Sequence, residues 1–119
     1  GGVLIRIDPA SSIPIYAQVA DSVRRGLAEG TLVEGQRLPG ARELADGLGV
    51  NLHTVLRGYQ ELRDEGLIEL RRGRGAVVTA RGVRAAGALA ALTAYIEQAR
   101  KAGFSVEEAT RLVREGMTS

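Results

Sequence analysis

The chain has 119 residues, of which 45% are hydrophobic, 25% charged and 3% aromatic, with a formal net charge of +2. That is the profile of one ordinary globular domain, or of a small domain with an appendage, and not of a disordered chain. It has no cysteine, a single histidine (His53) and no run of 18 apolar residues. Disulfides, thiolate zinc sites, a cysteine nucleophile and a transmembrane helix are thereby excluded, and no membrane partner is expected. The start, Gly1-Gly2-Val3-Leu4-Ile5, lacks the basic and long apolar regions of a secretory signal, so no leader is expected.

Lys101 is the single lysine among the 16 Lys and Arg. A GC-rich coding bias explains this as readily as selection for Arg, the better bidentate partner for phosphate and guanine. Residues 1–80 are neutral, with ten Arg against ten acids, whereas residues 71–84 hold five Arg (Arg71, Arg72, Arg74, Arg81, Arg84) and no acid. A local basic stretch of this kind points to a directed contact with a polyanion.

In chain order, residues 3–7 are short and apolar apart from Arg6, an edge strand or an arm. Ser11-Ser12-Ile13-Pro14 marks a helix start, since Pro suits the first turn, where its missing N–H costs nothing. Ile15, Val19, Val23 and Leu27 recur every four residues, an amphipathic helix ending near Gly30. Residues 35–39 are turn-rich, with a few extended positions. A short helix over residues 41–48 buries Leu44, Ala45 and Leu48, and Gly49 stops it with a left-handed cap. Asn51 caps the next helix, which runs to about Glu65 and buries Val55, Tyr59 and Leu62. Two helices joined by so tight a turn have the helix-turn-helix layout. Residues 67–70 and 76–79 are short apolar runs on either side of Arg71-Arg72-Gly73-Arg74-Gly75, a β-hairpin. A helix-turn-helix followed by a basic-tipped hairpin is a winged helix.

Residues 80–119 are Ala-rich, lack Pro and read as two helices. The first carries Leu89, Leu92, Ile96 and Ala99 on one stripe and ends at Gly103. The second opens on Ser105-Val106-Glu107-Glu108, a capping box, and buries Ala109, Leu112 and Val113. So short a segment cannot enclose a core alone. Its stripe must pack on the winged helix or on another chain, and the dimeric habit of helix-turn-helix proteins favours another chain. The expected fold class is mainly α with a small β-hairpin: a winged helix-turn-helix, residues 1–80, followed by a two-helix dimerisation tail, residues 81–119.

Seven runs, in order and spacing, resemble the GntR-family winged helix through residues 14–78: Pro14-Ile15-Tyr16-Ala17-Gln18, Leu38-Pro39-Gly40-Ala41-Arg42-Glu43-Leu44-Ala45, Leu48-Gly49-Val50-Asn51, Thr54-Val55, Tyr59-Gln60-Glu61-Leu62, Glu65-Gly66-Leu67-Ile68 and Arg72-Gly73-Arg74-Gly75. The Asn51-x-x-Thr54-Val55 form and the short tail resemble the YtrA-like subfamily, in which the tail is a dimerisation element and not a ligand domain. The resemblance implies a cytoplasmic bacterial transcriptional regulator, usually a repressor, that binds double-stranded palindromic operator DNA as a homodimer. By the same resemblance, Arg42 is a DNA contact; its local alternative is a pair with Asp46, four residues on.

Asn51, Leu52, His53 and Thr54 stand at the start of the recognition helix, the end that such a helix presents to base edges, and its free N–H groups favour phosphate. Asn51 is first of all a cap. His53 is read as a base or phosphate contact, and without a second His or any Cys it is no metal ligand. Arg57, one turn on, has two equal readings: a DNA contact, or a salt bridge with Glu61. At the wing tip, Gly73 and Gly75 allow close approach to the duplex, while Arg72 and Arg74 reach the minor groove or phosphates. Arg71 is ambiguous, because strand alternation points it away from Arg72. Many GntR members carry Arg where this chain has Leu52 and Leu56, so an operator sequence cannot be borrowed from them.

Two other readings compete: a winged helix that binds protein and never DNA, and a fragment of a regulator with a pyridoxal-phosphate aminotransferase-like domain. The latter needs a Schiff-base lysine, and Lys101 lies in a tail helix. No enzyme activity and no cofactor are expected. A small-molecule effector is not identified by any residue. The tail is too small to enclose a usual pocket of about 300–1,000 Å³ alone, which leaves sites between subunits or against the winged helix.

Overall fold

The computed structural model describes residues 5–119. Its first helix, α1 (Ile15–Ala28), follows Pro14, whose carbonyl accepts from the N–H groups of Ala17 (3.0 Å) and Gln18 (3.1 Å). Val19, Val23 and Leu27 are fully buried along one face, as the four-residue spacing requires. Val3 and Leu4 lie outside the described residues. Residues 5–7 form no strand; they are an arm laid on α1. Ser22 Oγ donates to Arg6 O (3.0 Å) and accepts from Arg6 N–H (3.2 Å), and Gln18 Oε1 accepts from Asp8 N–H (2.6 Å). These side-chain bonds satisfy backbone groups that a strand would have paired with a neighbour.

α2 (Ala41–Leu48) ends at Gly49, in the left-handed region at φ 70°. α3 (Leu52–Asp64) begins at Asn51, whose side chain accepts from His53 N–H (2.8 Å). α3 packs on both α1 and α2. Its crossing with α1 is close because residue 58 is glycine: a Cβ there would lie 2.8 Å from Tyr16 O and 3.2 Å from Val19 Cβ. Val55, Tyr59 and Leu62 of α3, with Ala45 of α2, join the α1 residues in one core. Leu44 and Leu48 are only partly buried against it. Each fully buried aliphatic side chain contributes roughly 1.5–3 kcal/mol.

β1 (Ile68–Arg71) and β2 (Gly75–Val78) pair antiparallel with Ile68 opposite Val78 and Arg71 opposite Gly75. Residues 35–38 lie along the other edge of β2: Leu38 N–H donates to Ala76 O (2.8 Å) and Val78 N–H to Gln36 O (2.9 Å). The turn-rich connection thus supplies a third backbone strip, and both edges of β2 are paired. Three of its four residues are buried accordingly.

Three helices, not two, follow the hairpin. α4 (Ala80–Arg84) is capped by Thr79, whose Oγ1 accepts from Gly82 N–H (2.9 Å) and donates to Gly66 O (2.7 Å). α5 (Ala86–Lys101) and α6 (Val106–Thr118) complete the chain. The chain divides into two compact units, Gly1–Leu89 and Ala90–Ser119. The first therefore runs past residue 80, where the sequence places the boundary. Part of the reason is Gly82, which sits so tightly on Leu67 that a Cβ would come 2.5 Å from its carbonyl oxygen. In the second unit, Tyr95 Oη donates to Ala109 O (2.8 Å) and Ser105 Oγ accepts from Glu108 N–H (3.0 Å), one half of the expected capping box.

Candidate nucleic-acid interface

The site is built on three pieces of the first unit: the starts of α2 and α3, and the hairpin tip. Asn51 is the cap the sequence requires. His53 is exposed and Thr54 half-buried. Leu52 is partly buried against the core, and so covers the turn between α2 and α3. That packing gives the leucine at this position a structural role. Arg42, in the first turn of α2, is exposed, and among the described residues it makes no ion pair with Asp46 or any other acid. The chain just before α2 is fixed by Tyr59, a core residue whose hydroxyl donates to Pro39 O (2.7 Å). Burial, reinforced by the charge of Glu43, pushes the Tyr59 phenol well above its ordinary pKa, so it remains a donor.

At the hairpin tip, Arg72, Gly73 and Arg74 form the turn, closed by Arg74 N–H donating to Arg71 O (3.1 Å). Gly73 has φ 80° and Gly75 φ 77°, backbone that L side chains adopt only with strain. Arg72 and Arg74 are exposed and free of ion pairs among the described residues. Arg71 is not free: its Nε donates to Glu69 Oε2 (2.8 Å). Arg81 is partly engaged as well, donating from Nε to Glu65 O (3.0 Å) and lying over Gly66. The basic stretch of residues 71–84 thus divides: Arg72 and Arg74 present free charge at the tip and Arg84 is exposed in α4, while Arg71 is paired with Glu69 and Arg81 is held on the Glu65 carbonyl.

Arg57 does not form the salt bridge with Glu61, one of its two expected arrangements. Its guanidinium lies over the Tyr16 ring, 3.8 Å from the centroid. Glu61 is instead taken by Arg24 of α1, across 3.3 Å. Sequence reasoning missed Arg37. It bridges to Val77 of β2, is exposed, and its Nε lies 3.9 Å from where a Cβ on Gly75 would stand. The cation therefore flanks the base of the wing. The only available signal was its place in a stretch read as partly extended.

The dimerisation residues divide as well. Leu89 packs against the core of the first unit, and Ala99 is buried. Leu92 (47%), Ile96 (40%), Leu112 (39%) and Val113 (46%) remain exposed in the single chain. A groove of about 290 Å³ lies between the arm and α1, lined among others by Arg6, Asp8, Asp21 and Arg25; its mixed charges select no ligand class. Among the described residues no cluster could hold a metal, and no helix is long and apolar enough to cross a membrane. Lys101 is exposed, 3.9 Å from Glu97.

A profile described as "Bacterial regulatory proteins, gntR family" matches residues 15–78. The HTH-type transcriptional repressor YtrA of Bacillus subtilis (strain 168) is 42% identical over 76 residues, which cover 64% of this chain and 58% of that protein. Among solved structures, YtrA from Sulfolobus acidocaldarius, a GntR-family transcription factor, is 46% identical with a TM-score of 0.60, over 64% of this chain and 80% of that one. The DNA-binding domain of AraR in complex with operator ORX1 is 26% identical with a TM-score of 0.56, over 66% of this chain and 99% of that one.

Proposed function

The chain belongs to the gntR family of DNA-binding bacterial regulators, as a YtrA-like member, and from that membership we propose that it is a cytoplasmic transcriptional repressor that binds a palindromic operator as a homodimer. The observation that carries this reading is the placement of free charge. Arg42, Arg72 and Arg74 are exposed without acidic partners at the start of α2 and at the wing tip. Arg24 and Arg71, by contrast, are spent on carboxylates.

In this reading the start of α3 enters the major groove, which is wide enough for a helix. His53 and Thr54 address base edges or phosphates there, Asn51 fixes the first turn, and Arg42 contacts DNA beside it. The wing, Arg72-Gly73-Arg74-Gly75, reaches the minor groove or the flanking phosphates. The exposed leucine, isoleucine and valine side chains of α5 and α6 supply the contact between two copies. Repression follows if the bound dimer occupies promoter DNA. An effector, if one acts, must bind the DNA-competent and incompetent dimers with different affinities.

The test is a gel shift with the DNA upstream of the protein's own gene against a scrambled duplex, at two salt concentrations. Selective retardation of the first supports a sequence-specific regulator. Equal, salt-labile retardation of both keeps the DNA contact but rejects that operator. Retardation of neither transfers the fold to a protein-binding role.

A further inference from the structure

The recognition helix carries its own potential inhibitor. Glu61 follows Arg57 by four residues, the spacing at which the two would neutralise each other. The structure prevents it from α1. Arg24 donates from Nη2 to Glu61 Oε2 (3.3 Å), from Nε to Glu65 Oε1 (3.0 Å) and from Nη1 to Asp21 Oδ1 (2.7 Å). The hydrogen bonds to Glu65, foremost, hold the Arg24 charge even more firmly than usual. With Glu61 drawn off, Arg57 lies on the Tyr16 ring at 3.8 Å from its centroid, and it makes no ion pair among the described residues. The close approach at Gly58 brings that part of α1 against α3.

A guanidinium stacked on a ring spends its flat face and keeps its N–H donors, which lie in the plane of the group. That edge matches two oxygens of a phosphate. The stack also orders a side chain that otherwise loses rotamer freedom on binding. Arg57 leans on α1, at the flank of α3. Resting on the DNA-binding reading above, we infer that Tyr16 is a positioning residue that holds Arg57 ready to clasp one backbone phosphate, while Arg24 keeps Glu61 from competing for it.

The experiment measures binding of the full chain to a duplex it selects from a random pool and to a scrambled duplex over a series of salt concentrations. Arg57→Ala is expected to weaken both about fivefold and to lower the log K against log salt slope by about 0.9, the signature of one lost phosphate contact. Tyr16→Leu is expected to weaken binding about two- to fivefold, the worth of a cation–π contact. Tyr16→Phe, which keeps the ring, restores it. In an Arg57→Ala background Tyr16→Leu is expected to cost nothing more. Equal costs of Tyr16→Leu with and without Arg57 overturn the inference, as does an Arg57→Ala variant that binds normally. If Tyr16→Leu does not fold, Arg57→Lys decides: it keeps the charge but not the plane, and binding as tight as with Arg overturns the stacked clasp. If the unmodified chain binds neither duplex while folded, the DNA reading itself falls.

Discussion

Gly58 is a poor helix former in the middle of a recognition helix, and its use lies in what it leaves out. A methyl group at that position would press on the Tyr16 carbonyl at 2.8 Å and on Val19 at 3.2 Å, both in the core crossing of α1 and α3. Gly58→Ala would gain up to about 1 kcal/mol in helix propensity, but overpacking costs about 1–3 kcal/mol. A net loss of stability is therefore expected in a urea titration; a more stable variant would mean that α1 can move away. Arg42 is the opposite kind of residue, exposed and unpaired, so its removal acts on binding. If Arg42 reads a base, Arg42→Ala costs about 1–3 kcal/mol on the operator and little on random DNA. If it holds a phosphate, the loss is equal on both and the salt slope falls. Unchanged affinity on both DNAs contradicts its assignment.

Among the elements, those set by period and capping were readable from the sequence. The stripe of Val19, Val23 and Leu27, the Asn51 cap and the Gly49 stop each follow from interactions within a few residues, and each stands where the pattern puts it. What escaped depended on distant partners. No proline or glycine stands at the junction of α4 and α5, and the cap of α4 is anchored on Gly66, across the hairpin. The strip at residues 35–38 is extended because β2 has an open edge, which no local propensity signals. The Arg57–Glu61 spacing allowed an ion pair, yet Arg24, far away in sequence, holds the carboxylate. The wing shows the same division: five Arg read as one basic stretch, with Arg71 in fact paired with Glu69 and Arg81 held on the Glu65 carbonyl. Replacing Arg72 and Arg74 together by Ala should weaken binding to every duplex and lower the salt slope by about 2, one for each phosphate contact. Stability should stay within about 0.5 kcal/mol, since neither residue touches the core. The same double change at no cost in binding would place the wing away from DNA.

At the scale of the whole molecule, the second unit presents more apolar surface than its thirty residues can hide. Leu92, Ile96, Leu112 and Val113 are each about two-fifths exposed or more, and Val106 (74%) and Met117 (81%) are largely exposed. Exposed apolar side chains in this number are what the proposed contact with a second copy would cover. Replacing Leu92 and Ile96 by Glu should convert a dimer to a monomer in sedimentation equilibrium and leave the first unit folded. A variant that sediments as the unmodified chain does would remove this face from the interface. Two copies joined through the tail would present two recognition helices, and an operator must then have two half-sites. The measurement that tests this most directly is a hydroxyl-radical footprint on a DNA site selected by the chain from a random pool. Two protected half-sites related by a two-fold axis, with centres about one helical turn or a multiple of it apart, are the expected result. A single asymmetric protected tract occupied by one chain would contradict the account.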